Sequence, residues 1–300
     1  MTNASFIPLP HRSLLSLAGE DRVAFLQGLV SCDVARACDG KALWGAFLTP
    51  QGKFLHDFLL FATEDRLYLE TEADRRADFL RRLGLYRLRA RVTIAAEDTL
   101  RVLAVQGSDA GPDLGRTLLA GLPHGSLVFA DPRLPESGLR VWLPGDLSPA
   151  DAAASLIAAG LTERPFTDWD SHRIALGLPD GSRDMVPDKA LLLENGFDEL
   201  GGVDWQKGCY MGQELTARTK YRGLVKKRLM PVAISGAIPE PGTLLLQQGM
   251  EAGEMRSACG QTGLALIRLD AFARFQEAGA PLTAGATRLS PRKPDWAVFG

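Results

Sequence analysis

Residues 43–48 and 54–61 form two apolar, aromatic-rich runs joined by Thr49-Pro50-Gln51-Gly52. Proline suits position i+1 and glycine position i+2 of a tight turn, so this spacing predicts a β-hairpin. Residues 13–17 read as a strand, and Asp21 stands where it would cap a helix carrying Val23, Phe25, Leu26, Leu29 and Val30. After the hairpin come an alternating strand at 66–71, a helix at 73–83 that ends at Gly84, and β character at 90–95. A similar series follows, with strands at 101–106, 127–130 and 139–143 and helices at 114–120 and 149–159. Ser148 caps the last helix, Pro149 fits its first turn and Gly160 closes it. Hairpin-connected strands with helices recurring after several of them indicate α+β units, not a parallel doubly wound sheet. Neither G-x-G-x-x-G nor G-x-x-x-x-G-K-[ST] occurs at a strand-to-helix turn.

The chain has 300 residues, and single cores seldom grow beyond about 250 to 300, so several domains are expected. Between residues 176 and 205 periodicity fades and Gly, Pro, Asp and Asn punctuate the sequence, which predicts a long structured loop holding Leu191, Leu192, Leu193 and Phe197. After Lys226 the pattern becomes short strands (229–234, 243–247, 263–267, 282–288), the mark of a small all-β domain. The division expected is an α+β region over 1–225 and a C-terminal domain over 226–300.

With 46% hydrophobic residues, 23% charged residues and a net charge of -2, the chain is neither disordered nor globally polycationic. Direct nucleic-acid binding therefore ranks lowest among its partners. Cys32, Cys38, Cys209 and Cys259 show no C-x-x-C spacing, so neither a disulfide framework nor a resident metal site is expected. The opening Met-Thr-Asn-Ala-Ser-Phe-Ile-Pro-Leu-Pro has no basic region followed by a long apolar run, and no later run approaches the roughly 18 residues of a membrane span. The expectation is a cytoplasmic, reducing location without membrane contact.

Lys207-Gly208-Cys209-Tyr210-Met211-Gly212-Gln213-Glu214 is the densest functional signal. Two glycines flank a cysteine where helix interior would disfavour them by about 1 kcal/mol each, so the segment reads as a turn of special geometry that fixes a thiol. Between Lys207 and Arg228 seven basic residues (Lys207, Arg218, Lys220, Arg222, Lys226, Lys227, Arg228) face one acid, Glu214. Nearby cations favour a thiolate, with Lys207 and Arg218 as the candidates beside Cys209. The same basic run could hold a polyglutamate tail, a partner protein or phosphates. Trp169, Trp205 and Tyr210 offer flat faces for a ring system. Asp57 could act as an acid on a cavity wall, while His56, one residue earlier on the same strand, faces the other way.

The 207–214 segment, followed by Ala217-Arg218 and Arg222-Gly223, resembles the K-G-C-[FY]-x-G-Q-E signature of the YgfZ family. Phe25-Leu26-Gln27-Gly28-Leu29-Val30-Ser31-Cys32-Asp33-Val34, Leu48-Thr49-Pro50-Gln51-Gly52-Lys53 and Arg173-Ile174-Ala175-Leu176-Gly177-Leu178-Pro179 resemble its other conserved stretches. This resemblance implies a fold shared with the glycine-cleavage aminomethyltransferase (T-protein): two ferredoxin-like α+β units, about 1–98 and 99–225 and open to interleaving, around a central cavity, with a C-terminal β-barrel. It also implies tetrahydrofolate as cofactor, iron-sulfur enzymes (tRNA-modifying enzymes among them) or assembly proteins as partners, and a role in iron-sulfur cluster assembly or repair. Cys209 and Asp57 are then the candidate catalytic residues, and Trp205, Lys207, Gly208, Tyr210, Gly212, Gln213, Glu214 and Arg218 the candidate cofactor-binding residues. The alternative is tetrahydrofolate-dependent aminomethyl transfer. Two departures weigh against it: the transferase's pterin-holding glutamate is replaced by Ala175, and its Asp-Asp pair by His56-Asp57.

Overall fold

In the computed structural model, residues 3–37 and 41–299 are described, and Cys38 lies outside them. The chain opens with β1 (Ala4–Pro8), β2 (Arg12–Ala18), α1 (Arg22–Gln27), β3 (Leu43–Leu48), β4 (Phe54–Ala62), β5 (Arg66–Glu72), α2 (Arg76–Tyr86) and β6 (Thr93–Glu97). β7 (Leu100–Gly107), α3 (Pro112–Gly121), β8 (Leu127–Ala130), β9 (Leu139–Pro144), α4 (Pro149–Ala158) and β10 (Thr162–Glu163) follow. One five-stranded sheet has the order β3-β4-β5-β2-β6 and another β10-β1-β7-β9-β8. β1 therefore leaves its sequence neighbours and pairs antiparallel with β7 and parallel with β10. α3 and α4 cover the second sheet by burying Leu114, Leu118, Ala152 and Leu156 against Phe6, Val105, Val141 and Leu143. The i, i+4 spacing of each leucine or alanine pair gives these helices one apolar stripe.

The rest of the chain is α5 (Phe166–Leu176), the single turn α6 (Gly181–Asp184), α7 (Gln213–Tyr221), β11 (Lys227–Ser235), β12 (Leu244–Gln247), β13 (Met250–Cys259), β14 (Thr262–Arg268), α8 (Leu269–Ala278), β15 (Leu282–Ala284) and β16 (Thr287–Pro291). The six strands close a barrel in the order β11-β14-β13-β12-β15-β16. Met230, Val232, Leu245, Met255, Ile267, Leu282 and Leu289 fill it. Closure leaves no free sheet edge to manage.

Compactness divides the chain differently from a linear boundary near residue 225. One unit comprises residues 1–47, 56–169 and 201–210; the other comprises 48–55, 170–200 and 211–300. The hairpin turn thus belongs with α7 and the barrel. Its geometry also differs from the expectation above: Gly52 is residue i+3, its N–H donating to Thr49 O at 2.8 Å, with φ of 80°. A Cβ at Gly52 would stand 2.6 Å from Gly212 O and 2.7 Å from Leu215 Cβ, so a second glycine, not turn type alone, demands glycine here.

Ser148 caps α4 as expected, its Oγ accepting the Asp151 N–H at 3.1 Å. Asp21 does not cap α1; its carboxylate takes the Arg91 N–H at 2.8 Å instead.

Candidate functional site

The loop before Cys209 is built by Asp204 and Lys207. The Asp204 Oδ1 accepts the N–H groups of Gln206 (2.8 Å) and Lys207 (3.0 Å), a turn that asparagine and aspartate side chains favour, and Oδ2 takes Arg36 Nη1 at 3.0 Å. Burial works to raise the Asp204 pKa, but these donors outweigh it and hold the carboxyl below its ordinary value. The turn sends the Lys207 side chain inward. Its Nζ donates to the carbonyl oxygens of Gln27 (2.8 Å), Val30 (2.6 Å) and Cys32 (2.7 Å). An ammonium has three N–H groups, so this lysine is fully engaged in joining the loop after α1 to residues 204–210.

The same junction is reinforced from the other side. Ser31 Oγ donates to Gly202 O at 2.6 Å and accepts the Ala46 N–H at 2.8 Å, and Asp204 N–H reaches Ser31 O at 2.9 Å. Gln27 bridges to Asp33 Oδ1 (2.8 Å) and the Val34 N–H (2.7 Å). Two segments some 175 residues apart in sequence thereby become one rigid element, and the charge-assisted bonds at Lys207 are the strongest members of it.

On this base two cysteines meet opposite fates. Cys32 is buried against Gly45, where an added Cβ would lie 2.5 Å from its sulfur, and burial pushes its thiol up to about 12. Cys209 is exposed, as is Gly208, while the next residue, Tyr210, is buried with Lys207 Nζ 5.1 Å from its ring centroid. The thiol thus stands in solvent, two residues after the anchored Lys207 and next to the buried Tyr210. Trp205 is half-buried on the same loop.

Of the two glycines that bracket Cys209, Gly212 is the constrained one. It has φ of 80°, and a Cβ there would meet Thr49 O at 2.6 Å and Gly52 Cα at 2.9 Å; Gly208 has open space around it. The expected special turn is therefore at Gly212, which leads directly into α7. Gln213, Glu214 and Arg218 lie on that helix, the last two exposed. The basic run is partly neutralised: Lys220 pairs with Asp198 (2.9 Å), Lys227 with Glu251 (3.1 Å) and Arg228 with Glu199 (2.6 Å). Arg218, Arg222 and Lys226 are exposed and make no ion pair among the described residues.

Asp57 is buried on β4 and accepts Trp44 Nε1 at 3.3 Å. It ends a buried polar chain that the sequence does not announce. Glu70 accepts from Arg12 Nε (3.2 Å), Arg140 Nε (3.2 Å) and Trp142 Nε1 (2.9 Å); Arg140 also reaches Asp131 (3.3 Å), which pairs with Arg133 at 2.8 Å. Arg133 lies 5.8 Å from the Trp44 ring centroid. Burial opposes ionisation of Asp131, yet Arg133 and Arg140 bring its pKa down to about 2. Three arginines and three acids balance, which is what lets them stay charged out of water. His56 belongs to a separate cluster: Nε2 is 3.1 Å from Asp78 Oδ2, and the ring stacks on Phe79 at 4.6 Å. Burial, helped by Arg75, lowers its pKa to about 4, so it is a neutral imidazole donating to Asp78.

Among the described residues no group of three or more His, Cys, Asp or Glu side chains gathers in a way that could hold a metal ion. Over 277 aligned residues the chain is 33% identical to the human mitochondrial iron-sulfur cluster assembly factor IBA57, covering 86% of this chain and 76% of that one. The chain belongs to the IBA57 family. A homologue from Pyricularia oryzae is 30% identical over 94% of this chain and 76% of its own. Residues 226–299 match the C-terminal β-barrel domain of CAF17. The glycine cleavage system aminomethyltransferase T from Bartonella henselae superposes with a TM-score of 0.78 at 18% identity, over 99% of this chain and 87% of that one, which establishes the expected T-protein-like α+β fold.

The family corrects one expectation. The human and Pyricularia relatives are mitochondrial by name, so the cytoplasmic location inferred above is overturned. Cysteine spacing speaks to redox state and cannot separate one reducing compartment from another. No helix among the described residues is long and apolar enough to cross a membrane.

Tetrahydrofolate is the cofactor that the sequence resemblance implies, and the chain's own residues fit it only in part. Asp57 supplies a buried acid beside an indole, but the position matched to the transferase's pterin-holding glutamate is Ala175, an exposed alanine whose carbonyl accepts from Arg292. The carboxylate pair is incomplete.

Proposed function

We propose that this protein is an accessory factor for iron-sulfur cluster assembly or repair, in which Cys209 contributes one thiolate to a cluster held jointly with a partner. The observation that carries this reading is an exposed cysteine on a loop fixed from beneath by Lys207. A cluster takes four protein ligands in most settings, and one thiolate cannot enclose it. The cluster is cargo: Cys209 gives up its proton as sulfur binds iron, and recovers one when an incoming thiolate of the recipient replaces it, with no change in oxidation state. The segment at 207–214, with its likeness to the YgfZ signature, supports a YgfZ-type reading of the chain. Its clients would be iron-sulfur enzymes, tRNA-modifying enzymes among them.

In cells lacking the endogenous protein, Cys209→Ala should leave iron-sulfur enzyme activity low while the purified variant unfolds at the wild-type midpoint. Full activity with Cys209→Ala would sink the role.

The second reading is tetrahydrofolate-dependent aminomethyl transfer, favoured by the retained acid at Asp57. Its support is a shared fold and a buried acid beside Trp44; the alanine at 175 counts against it. Turnover of a methylamine donor with tetrahydrofolate, lost in Asp57→Asn, is the outcome that would promote it. A tetrahydrofolate titration of wild type and Cys209→Ala separates the cofactor from the thiol.

A further inference from the structure

Helix α2 ends in an arginine-rich run, Arg81-Arg82-Leu83-Gly84-Leu85-Tyr86-Arg87-Leu88-Arg89. Leu83 is buried and ties the helix to the core, but every residue from Gly84 to Arg89 is exposed. Leu85 is 65% exposed, Tyr86 38% and Leu88 89%. A lone exposed leucine is ordinary, whereas three large apolar side chains on consecutive turns of chain, rimmed by arginines, form the contiguous group that marks an interaction site.

The backbone makes Leu88 more conspicuous still. The Ala90 N–H donates to Arg87 O at 2.8 Å and closes a four-residue turn in which Leu88, the second residue, has φ of 41°. Glycine, asparagine or aspartate usually take positive φ there, because a larger side chain crowds its own backbone. Neither burial nor turn preference accounts for a leucine at this tip. The charge beside it is also uncompensated. Arg81 and Arg82 share Asp78, each at 2.6 Å, and Arg91 is held by Glu20 at 2.6 Å. Arg87 and Arg89, which flank Leu88, make no ion pair among the described residues.

We propose that the 85–89 tip docks on the surface of an anionic phospholipid bilayer, with Leu85 and Leu88 entering the boundary between headgroups and acyl chains and Arg87 and Arg89 meeting lipid phosphates. Binding of this kind scales with buried apolar area plus the attraction of basic side chains to anionic lipid, and the tip supplies both. Guanidinium groups match phosphate oxygens, their stems lie along apolar surface, and a tyrosine such as Tyr86 suits the interface. A protein hot spot is usually seated in a packed pocket of its partner, whereas a bilayer takes a protruding apolar tip without a complementary shape. Such attachment needs no spanning helix, and neither Cys209 nor Asp57 belongs to the tip.

The test is co-sedimentation of the full-length protein with vesicles of equal parts phosphatidylcholine and phosphatidylglycerol, against vesicles of phosphatidylcholine alone. The anionic vesicles should bind at least about tenfold more tightly, a margin that added salt erodes. Leu88→Gly, which also relieves the turn, should weaken binding about tenfold with an unfolding midpoint no lower than that of wild type. Arg89→Glu should weaken it at least about fivefold. The same charge reversal at Arg116, exposed on α3, should leave it unchanged. Should Leu88→Gly fold poorly, Arg89→Glu decides alone. Equal binding to both vesicle types, no binding, binding undiminished in Leu88→Gly and Arg89→Glu, or an equal loss in Arg116→Glu would each overturn the proposal. Vesicles left unbound while Leu88→Gly slows cluster delivery to a client enzyme would rule out the bilayer and assign the tip to a protein partner. Cys209→Ala should bind vesicles like wild type whether or not the thiol serves clusters.

Discussion

The loop after α1 and the loop at 204–210 are held by the same ammonium, yet they treat their cysteines in opposite ways. Cys32 lends its carbonyl to Lys207 and buries its sulfur, where the thiol is pushed up to about 12. Two residues beyond the lysine, Cys209 turns its sulfur to water. A thiol's chemistry is thus decided by which side of a junction it occupies, and the junction does the positioning for both. The buried side is scaffold and the exposed side is free to react.

The widest gap between the two loops should appear in thiol labelling. Iodoacetamide on the native protein, read by peptide mass spectrometry, should modify Cys209 at least about a thousandfold faster than Cys32, because Cys32 reacts only through unfolding. Comparable rates would dissolve the distinction. Next in size is Lys207→Met, which strands three carbonyls, those of Val30 and Cys32 buried, and should lower stability by about 4 kcal/mol in urea unfolding. A loss under about 1 kcal/mol would mean the junction is held by Ser31 and Asp204 alone.

A control for that scaffold lies on β4. His56 has a folded pKa of about 4 against about 6.5 for an unfolded histidine, so the unfolded chain takes up a proton first as pH falls. Stability should be level above pH 6.5 and drop by roughly 3 kcal/mol between 6.5 and 4, a slope that His56→Gln should remove. The smallest effects separate the glycines around Cys209. Gly212→Ala forces a Cβ onto Thr49 O at positive φ and should lose about 2 kcal/mol, whereas Gly208→Ala, in open space, should stay within about 0.5.

Closure of the C-terminal domain into a barrel came from the family resemblance, whereas the hairpin, the strand and helix series and the all-β character of that domain could be read from local periodicity. β1 could not, because a five-residue strand says nothing of a partner about a hundred residues away. α5 escaped because Trp169, Arg173 and Ile174 are all buried, mixing charge and apolar side chains so that no simple stripe survives. Only Thr216 and Thr219 are buried on α7, and its start is disguised by Gly212. In the site, Cys209 announced itself through the motif around it. The Arg12–Glu70–Arg140–Asp131 chain did not, since ion pairs between residues 58 and 70 positions apart leave no local pattern. Lys207 stands out in the sequence by its charge, but its partners are backbone carbonyls, which no sequence pattern marks.

The role proposed for Cys209 is that of a cluster ligand, not a structural thiol. Its most direct measurement follows transfer of a cluster from a loaded assembly protein to a client apoenzyme, with wild type or Cys209→Ala as the added factor and Gly208→Ala as a control on the same loop. Wild type and Gly208→Ala should accelerate recovery of client activity, and Cys209→Ala, folded to the same unfolding midpoint, should not. Equal acceleration by all three would contradict the account.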